Sequence, residues 1–144
     1  MIKKHDSIII NLTCSAMVPL IQLFALYVVF HGHYGPGGGF QGGVLLGVSI
    51  ILTRLYLGKE ESYKKFPPRL AMALGAVGLL IYGLTGLIPM FFGGEFLNYA
   101  YLPIPWLHGA ELRYYGILIV EIGIALGVFG TVVLIFDNLV GENW

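Results

Sequence analysis

Apolar residues run almost unbroken through four stretches of the chain, and polar positions gather between them. The first stretch covers about Ser7 to Phe30, the second about Pro36 to Leu57, the third Leu70 to Phe92 and the fourth about Tyr114 to Val140. A helix that crosses a bilayer needs about 20 apolar residues, within a range of about 17–25, so each stretch predicts one spanning helix. The runs are long and do not alternate, which argues against a transmembrane β-barrel. The pattern therefore predicts an all-α integral membrane protein with four transmembrane helices in one domain, 1–144. Composition strengthens this reading: 57% of the residues are hydrophobic and 11% are charged, where a soluble domain carries about 25% charged residues.

The polar segments set an orientation. Lys3 and Lys4 precede the first run, and Lys59, Lys64, Lys65 and Arg69 lie between the second and third. Arg54, just inside the second run, can snorkel to the same side. Only Arg113 is left for the other side. The positive-inside rule then puts both termini in the cytoplasm. Lys3 and Lys4 resemble the charged start of a signal peptide, but the apolar run is too long and no A-x-A-like site follows it, so the first run is expected to be retained. Aromatic residues crowd the opposite side, including Phe91, Phe92, Phe96, Tyr99, Tyr101, Trp106, Tyr114 and Tyr115, as in an interfacial belt. Formal net charge is zero, and nothing points to nucleic acid as a partner. Cys14 lies in an apolar run and reads as a small buried side chain.

Between the first two runs stands 32-GHYGPGGGFQGG-43. Gly37 to Gly42 satisfies G-x-G-x-x-G, but a dinucleotide fingerprint needs a preceding strand and an acid about 20 residues further on. Here a membrane helix precedes it and the next acid, Glu60, falls on the other side of the bilayer. A loose linker fits poorly too, because the second span is too short without these residues. Counted from Pro36 it covers about 33 Å at 1.5 Å per residue, with Pro36 suited to the first helical turn and Gly35 to the cap. Gly35, Gly39, Gly43 and Gly47 then form a ridge at intervals of four, of the kind that lets a neighbouring backbone approach closely. The expected role of Pro36 to Gly43 is a packing surface against another subunit. Two more small-residue stripes follow: Ala71, Gly75, Gly78 and Gly86 in the third span, and Gly116, Gly123, Gly127 and Gly130 in the fourth.

Polar residues inside the spans carry the candidate chemistry. Ser7, Asn11, Ser15 and Gln22 share one face of the first helix, and Pro19 frees the Ser15 carbonyl. Pro89 does the same for Thr85. Such a stripe serves interhelical hydrogen bonding or lines a wet path for ions. Glu121 is an isolated carboxylate in 116-GILIVEIGIALG-127. A charge at the centre of a membrane helix costs about 2.5–3.5 kcal/mol on insertion scales, which makes such residues functional candidates. Glu121 points away from the Gly116/Gly123/Gly127/Gly130 face and addresses another neighbour or a cavity. The alternative is a glutamate that only holds helices together. His31 and His33 bracket the outer end of the first helix and titrate near neutral pH. Two histidines without further donors fall short of the three or four ligands of a zinc site, so no metal is expected. His108, Glu111 and Arg113 fit a surface loop, and Asp137 fits the membrane interface. No nucleophile–base pair suggests catalysis, and no cofactor is expected.

Gly32 to Gly43 resembles the G-H-x-x-P-G-G-G-F-x-G-G pattern of the MnhB family, which supplies one of the small subunits of Mrp-type multisubunit cation/proton antiporters. Four spans in a chain of this length fit that family, so the resemblance covers essentially the whole chain. Glu121-Ile122-Gly123 is similar to the family's fourth-span pattern, with Glu where Asp is more common. The resemblance implies a small hydrophobic subunit of a Na+/H+ exchanging assembly in a prokaryotic cell membrane. Its partners would be the other hydrophobic subunits of the module, with the larger antiporter-like subunits carrying the proton path and Na+ and H+ the transported ions. Related modules join hydrogenase-like redox subunits in archaeal membrane-bound hydrogenases and sulfur-reducing complexes. The aromatic 93–113 connection and Glu121 lean toward that redox-linked group. On this reading Glu121, His33, Asn11 and Gln22 are the ion-path candidates, and Gly35, Pro36, Gly39, Gly43 and Gly47 the subunit-packing residues. The alternative is a scaffold subunit without its own ion path. A self-contained transporter would need internal repeats, and spans 1–2 and 3–4 show no convincing inverted repeat.

Overall fold

A computed structural model describes residues 8–140. Lys3, Lys4 and Ser7, which entered the orientation and the polar stripe above, lie outside the described residues. Four helices are long and apolar enough to cross a membrane: α1 (Ile8–His31), α2 (Gly39–Leu57), α4 (Pro68–Phe91) and α5 (Gly109–Val140). The short α3 (Lys59–Lys65) joins α2 to α4, and a single 3-10 turn (Tyr99–Tyr101) interrupts the connection from α4 to α5. The described chain is otherwise irregular, so the all-α expectation holds.

Two helix boundaries differ from the sequence reading. Pro36 is not in the first turn of α2. The helix begins at Gly39, and Gly35 to Gly38 are not helical. Gly38 sits at φ 115°, a conformation open to glycine and strained for other residues, and its N–H donates to the Val28 carbonyl at 3.0 Å. That bond pulls the glycine stretch back over the end of α1 and satisfies backbone that the bilayer would otherwise leave unpaired. The 19-residue α2 still spans about 28 Å, enough without the extra turn. The fourth helix starts at Gly109 rather than Tyr114 and has 32 residues. At about 48 Å it is longer than the hydrocarbon layer, so its first turns project beyond it.

The helices pack in the order α1, α2, α5, α4, as an open row in which α1 leans mainly on α2. Small residues make both seams of α5. On one side Gly78 faces the backbone of Gly123 and Gly127, and Gly75 and Ala71 face Gly130; a Cβ on Gly78 or Gly130 would overlap the opposite main chain. On the other side Gly39, Gly43 and Gly47 lie against Glu121, Ala125 and Val132. The ridge expected to face another subunit thus seats α5 of the same chain, while Gly35 and Pro36 are exposed. Glycine brings the backbones closer than any other residue would, and the gain in dispersion contacts offsets a helix-propensity cost of about 1 kcal/mol per glycine. Gly42 faces the opposite way, against Val29 and the Ala25 carbonyl of α1. The core of the row is Ile50, Ala71, Phe129 and Val133.

The aromatic connection is more than a belt. The ring of Phe96 sits on Gly86 of α4 and that of Tyr99 on Gly116 of α5. The loop reverses through Gly93 at φ 83°, and its Leu97 N–H donates to the Gly86 carbonyl at 3.2 Å. Phe91 and Trp106 stay exposed at 85% and 79%, and these two fit the belt.

Candidate functional site

The non-helical backbone from Gly32 to Gly38 makes room for the Glu121 side chain. A Cβ on Gly32 would come within 2.9 Å of Glu121 Oε1, and one on Gly38 within 3.5 Å. Gly39 presses on the carbonyl of Glu121 itself. The glycines are therefore required by what they enclose. His33, carried by the same loop, closes the other side: its Nδ1 is 3.3 Å from Glu121 Oε2, with side-chain exposures of 10% and 18%.

This approach is close enough for an ion pair, yet Oε2 and both imidazole nitrogens are buried without a hydrogen-bond partner. A buried carboxylate beside an imidazole is a pair between which a proton can pass, since one accepts and the other can donate. The ring of Tyr114 lies 4.5 Å from that of His33, and Tyr34 and Tyr114 line one cleft. The glycine stretch thus supplies one titratable group, α5 supplies the other, and the Tyr114 ring packs against the imidazole.

Gln22 and Asn11 are not part of this cluster. Gln22 Nε2 donates to Ser49 Oγ at 3.2 Å, and Ser49 Oγ to the Leu46 carbonyl at 2.7 Å. Asn11 lies half-buried in the first turn of α1, about 16 Å along the helix from Gln22. Ser15 is exposed between them. The expected polar stripe on α1 therefore resolves into separate contacts rather than one continuous path within this chain.

A second polar centre was not foreseen. Arg54 does not snorkel: its side chain is 1% exposed, and it grips Asp137, itself 7% exposed. Arg54 Nε donates to Asp137 Oδ1 at 3.0 Å and Nη2 to Oδ2 at 2.9 Å. This bidentate fork is the strong geometry for such a pair. Tyr63 of α3 lies over the guanidinium at 4.3 Å, and burial, then the nearby Asp137, push its hydroxyl above the usual tyrosine pKa. Asp137 is thus a buried partner rather than an interfacial residue. On α5 it stands about 24 Å from Glu121, so the two centres are separated by most of the hydrocarbon thickness. Spacing along one helix could not have paired residues 83 positions apart.

Comparisons with known proteins show the family. The family described as a domain related to the MnhB subunit of Na+/H+ antiporter matches residues 9–134. An antiporter subunit mnhB2 of Staphylococcus haemolyticus is 34% identical over 140 residues, covering 96% of this chain and 97% of that one. The mnhB2 subunit of Staphylococcus aureus (strain Newman) is 33% identical over 144 residues with the same coverage. Among solved structures, a chain of the membrane-bound sulfane sulfur reductase, an archaeal respiratory membrane complex, matches with a TM-score of 0.75 and 27% identity. That match covers 96% of this chain and 60% of the longer one. A match across most of the chain, on a four-helix membrane fold whose glycine stretch encloses a buried carboxylate, places this protein in the MnhB family of Na+/H+ antiporter subunits.

Proposed function

We propose that this chain is a small membrane subunit of a multisubunit Na+/H+ antiport module in a prokaryotic cell membrane, and that the His33–Glu121 pair is a protonation site on or beside its ion path. The observation that carries the reading is the pair itself: a carboxylate of α5 and an imidazole of the glycine stretch 3.3 Å apart, both largely buried. Buried ionisable groups in membrane helices face partners or ion pathways.

The partners are other hydrophobic subunits. The long apolar α1 supports this, because Leu12, Leu20, Leu23 and Phe24 are all more than half exposed. The same module joined to redox subunits is favoured by the likeness to a chain of an archaeal respiratory complex. Lys59, Lys64, Lys65 and Arg69 cluster at the α2–α4 end, which supports a cytoplasmic placement of that end and of both termini.

Tagging the chain in its native host, solubilising gently and identifying what copurifies tests the assembly. Antiporter subunits alone indicate a stand-alone exchanger. Antiporter subunits with metal-containing redox subunits indicate the respiratory form. Recovery of the chain alone, with crosslinking excluding detergent dissociation, refutes the reading.

A further inference from the structure

The cover over the His33–Glu121 pair has a structure of its own. A cleft of about 480 Å³ is lined by Tyr34, Leu107, Ala110, Glu111, Tyr114 and Tyr115. It opens at the end of the molecule that carries the aromatic connection. Glu111 is exposed at this cleft. Tyr34 and Tyr114 both line it, Tyr34 at its exposed rim, and behind Tyr114 lies the imidazole of His33. Side chains able to bind or pass a proton therefore stand in sequence from the cleft to the carboxylate: Glu111, the Tyr34–Tyr114 contact, His33 and Glu121.

Main chain borders the carboxylate on the side of the glycine stretch. Gly32 and Gly38 cover Oε1, and Gly39 lies under the Glu121 carbonyl. Gly38 is tied to Val28 of α1. Helix α2 carries no titratable side chain before Arg54. The titratable groups near the end of α1, Tyr27 and His31, stack on each other at 4.9 Å, and the His31 ring lies tilted toward that of Tyr34 at 6.1 Å. Tyr115 packs edge-on against Tyr114. Tyr82 of α4 turns to Phe96 instead.

We propose that the Tyr34–Tyr114 contact is a gated proton port: the His33–Glu121 pair exchanges its proton with the water phase at the aromatic-loop end, through the Glu111 cleft, and not with the α2–α4 end. When a proton arrives, the imidazole accepts it on Nε2 and passes the proton on Nδ1 to Oε2 of Glu121, so one proton moves inward and no heavy-atom bond changes. The return step runs the same transfers backwards. This deepens the reading of the pair as a protonation site and rests on that reading only for the use made of the proton.

Carbodiimides attack protonated carboxyl groups, which gives a test that does not depend on transport. Vesicles containing the intact complex, in both orientations, are exposed to a water-soluble, membrane-impermeant carbodiimide over a range of pH, and adducts are quantified by peptide mass spectrometry. Glu95 and Glu111 report reagent at the aromatic-loop end, and Glu60 and Glu61 report reagent at the other. The port predicts that Glu121 labels only in the orientation that labels Glu95 and Glu111. It also predicts that Tyr34→Phe, an exposed position on this cleft, speeds this labelling about fivefold, the size of effect one polar contact has on an opening equilibrium. Labelling from the Glu60 side, labelling by a lipid-soluble carbodiimide alone, or a rate indifferent to Tyr34→Phe each overturns the port. Correct labelling in a complex that still exchanges ions as Glu121→Gln keeps the port and removes the transport role. Lost exchange without cleft labelling does the reverse.

Discussion

Removing the charge of Asp137 isolates the most deeply buried charge in the described chain. Arg54 is 1% exposed and its Nη1 already lacks a hydrogen-bond partner. At about 3 Å and an effective dielectric near 20, the attraction to Asp137 is roughly 5–6 kcal/mol. The desolvation of two ions costs several kcal/mol each, so the pair as a whole contributes little net stability. A single partner left behind is a different matter: breaking a buried pair costs about 3–5 kcal/mol, a large share of the roughly 5–15 kcal/mol that holds a domain folded. Asp137→Asn keeps the shape and strands the guanidinium, and Arg54→Leu strands the carboxylate. The double variant Arg54→Leu/Asp137→Leu strands nothing and should fall within about 1 kcal/mol of the parent or exceed it. Equilibrium unfolding of the four proteins in mixed micelles measures this directly. The reasoning fails if Asp137→Asn unfolds with the parent, or if the double variant is no more stable than the singles, since Arg54 would then have reached water.

Other predictions follow from the glycine seams and the rings that rest on them. Gly39→Ala drives a Cβ into the Glu121 carbonyl and should destabilise by about 1–3 kcal/mol; Gly83→Ala meets nothing within 4 Å and should stabilise by about 1 kcal/mol, both read by thermal unfolding in detergent. The raised pKa of Tyr63 means that its neutral form is favoured in the folded protein. That contribution is fully present below the unfolded pKa of about 10 and is lost as pH rises through the higher folded value. The stability of the parent relative to Tyr63→Phe should therefore be flat up to about pH 10 and fall above it. Phe96→Ala empties the seat over Gly86. Because 46% of Phe96 is exposed, the cost should fall below the roughly 3–5 kcal/mol of a fully buried ring. Limited proteolysis of the 92–108 connection reads the loosening.

Much of the fold was legible because membrane helices announce themselves by length and apolarity. The α4–α5 seam was legible for a related reason: Gly75, Gly78, Gly123, Gly127 and Gly130 repeat at helical spacing, and that spacing has a packing meaning. The start of α2 was misread because Pro36 suits a helical first turn as well as it suits a loop. What decides between them is Gly38 bonding to Val28, a contact that spacing within the motif does not encode. Glu121 and His33 were each legible as isolated polar groups, but their meeting depends on α2 and α5 lying side by side. Arg54 and Asp137 were read separately as surface charges for the same reason. A lone charge near the end of a span looks interfacial until its partner is known. The ridge on Gly39, Gly43 and Gly47 told correctly that a backbone approaches closely, and it could not tell whose.

Ion exchange by the intact complex carrying Glu121→Gln tests the central claim most directly. The variant keeps the size and shape of the side chain and removes the group that binds a proton. Copurification first shows that the subunits still assemble, and Na+-driven proton movement is then followed with a pH-sensitive dye in vesicles. The account predicts full assembly with exchange lost or reduced by at least about tenfold, the weight of about 1.4 kcal/mol on the limiting step. Full assembly with exchange equal to the parent would contradict it, and would leave this subunit as a scaffold.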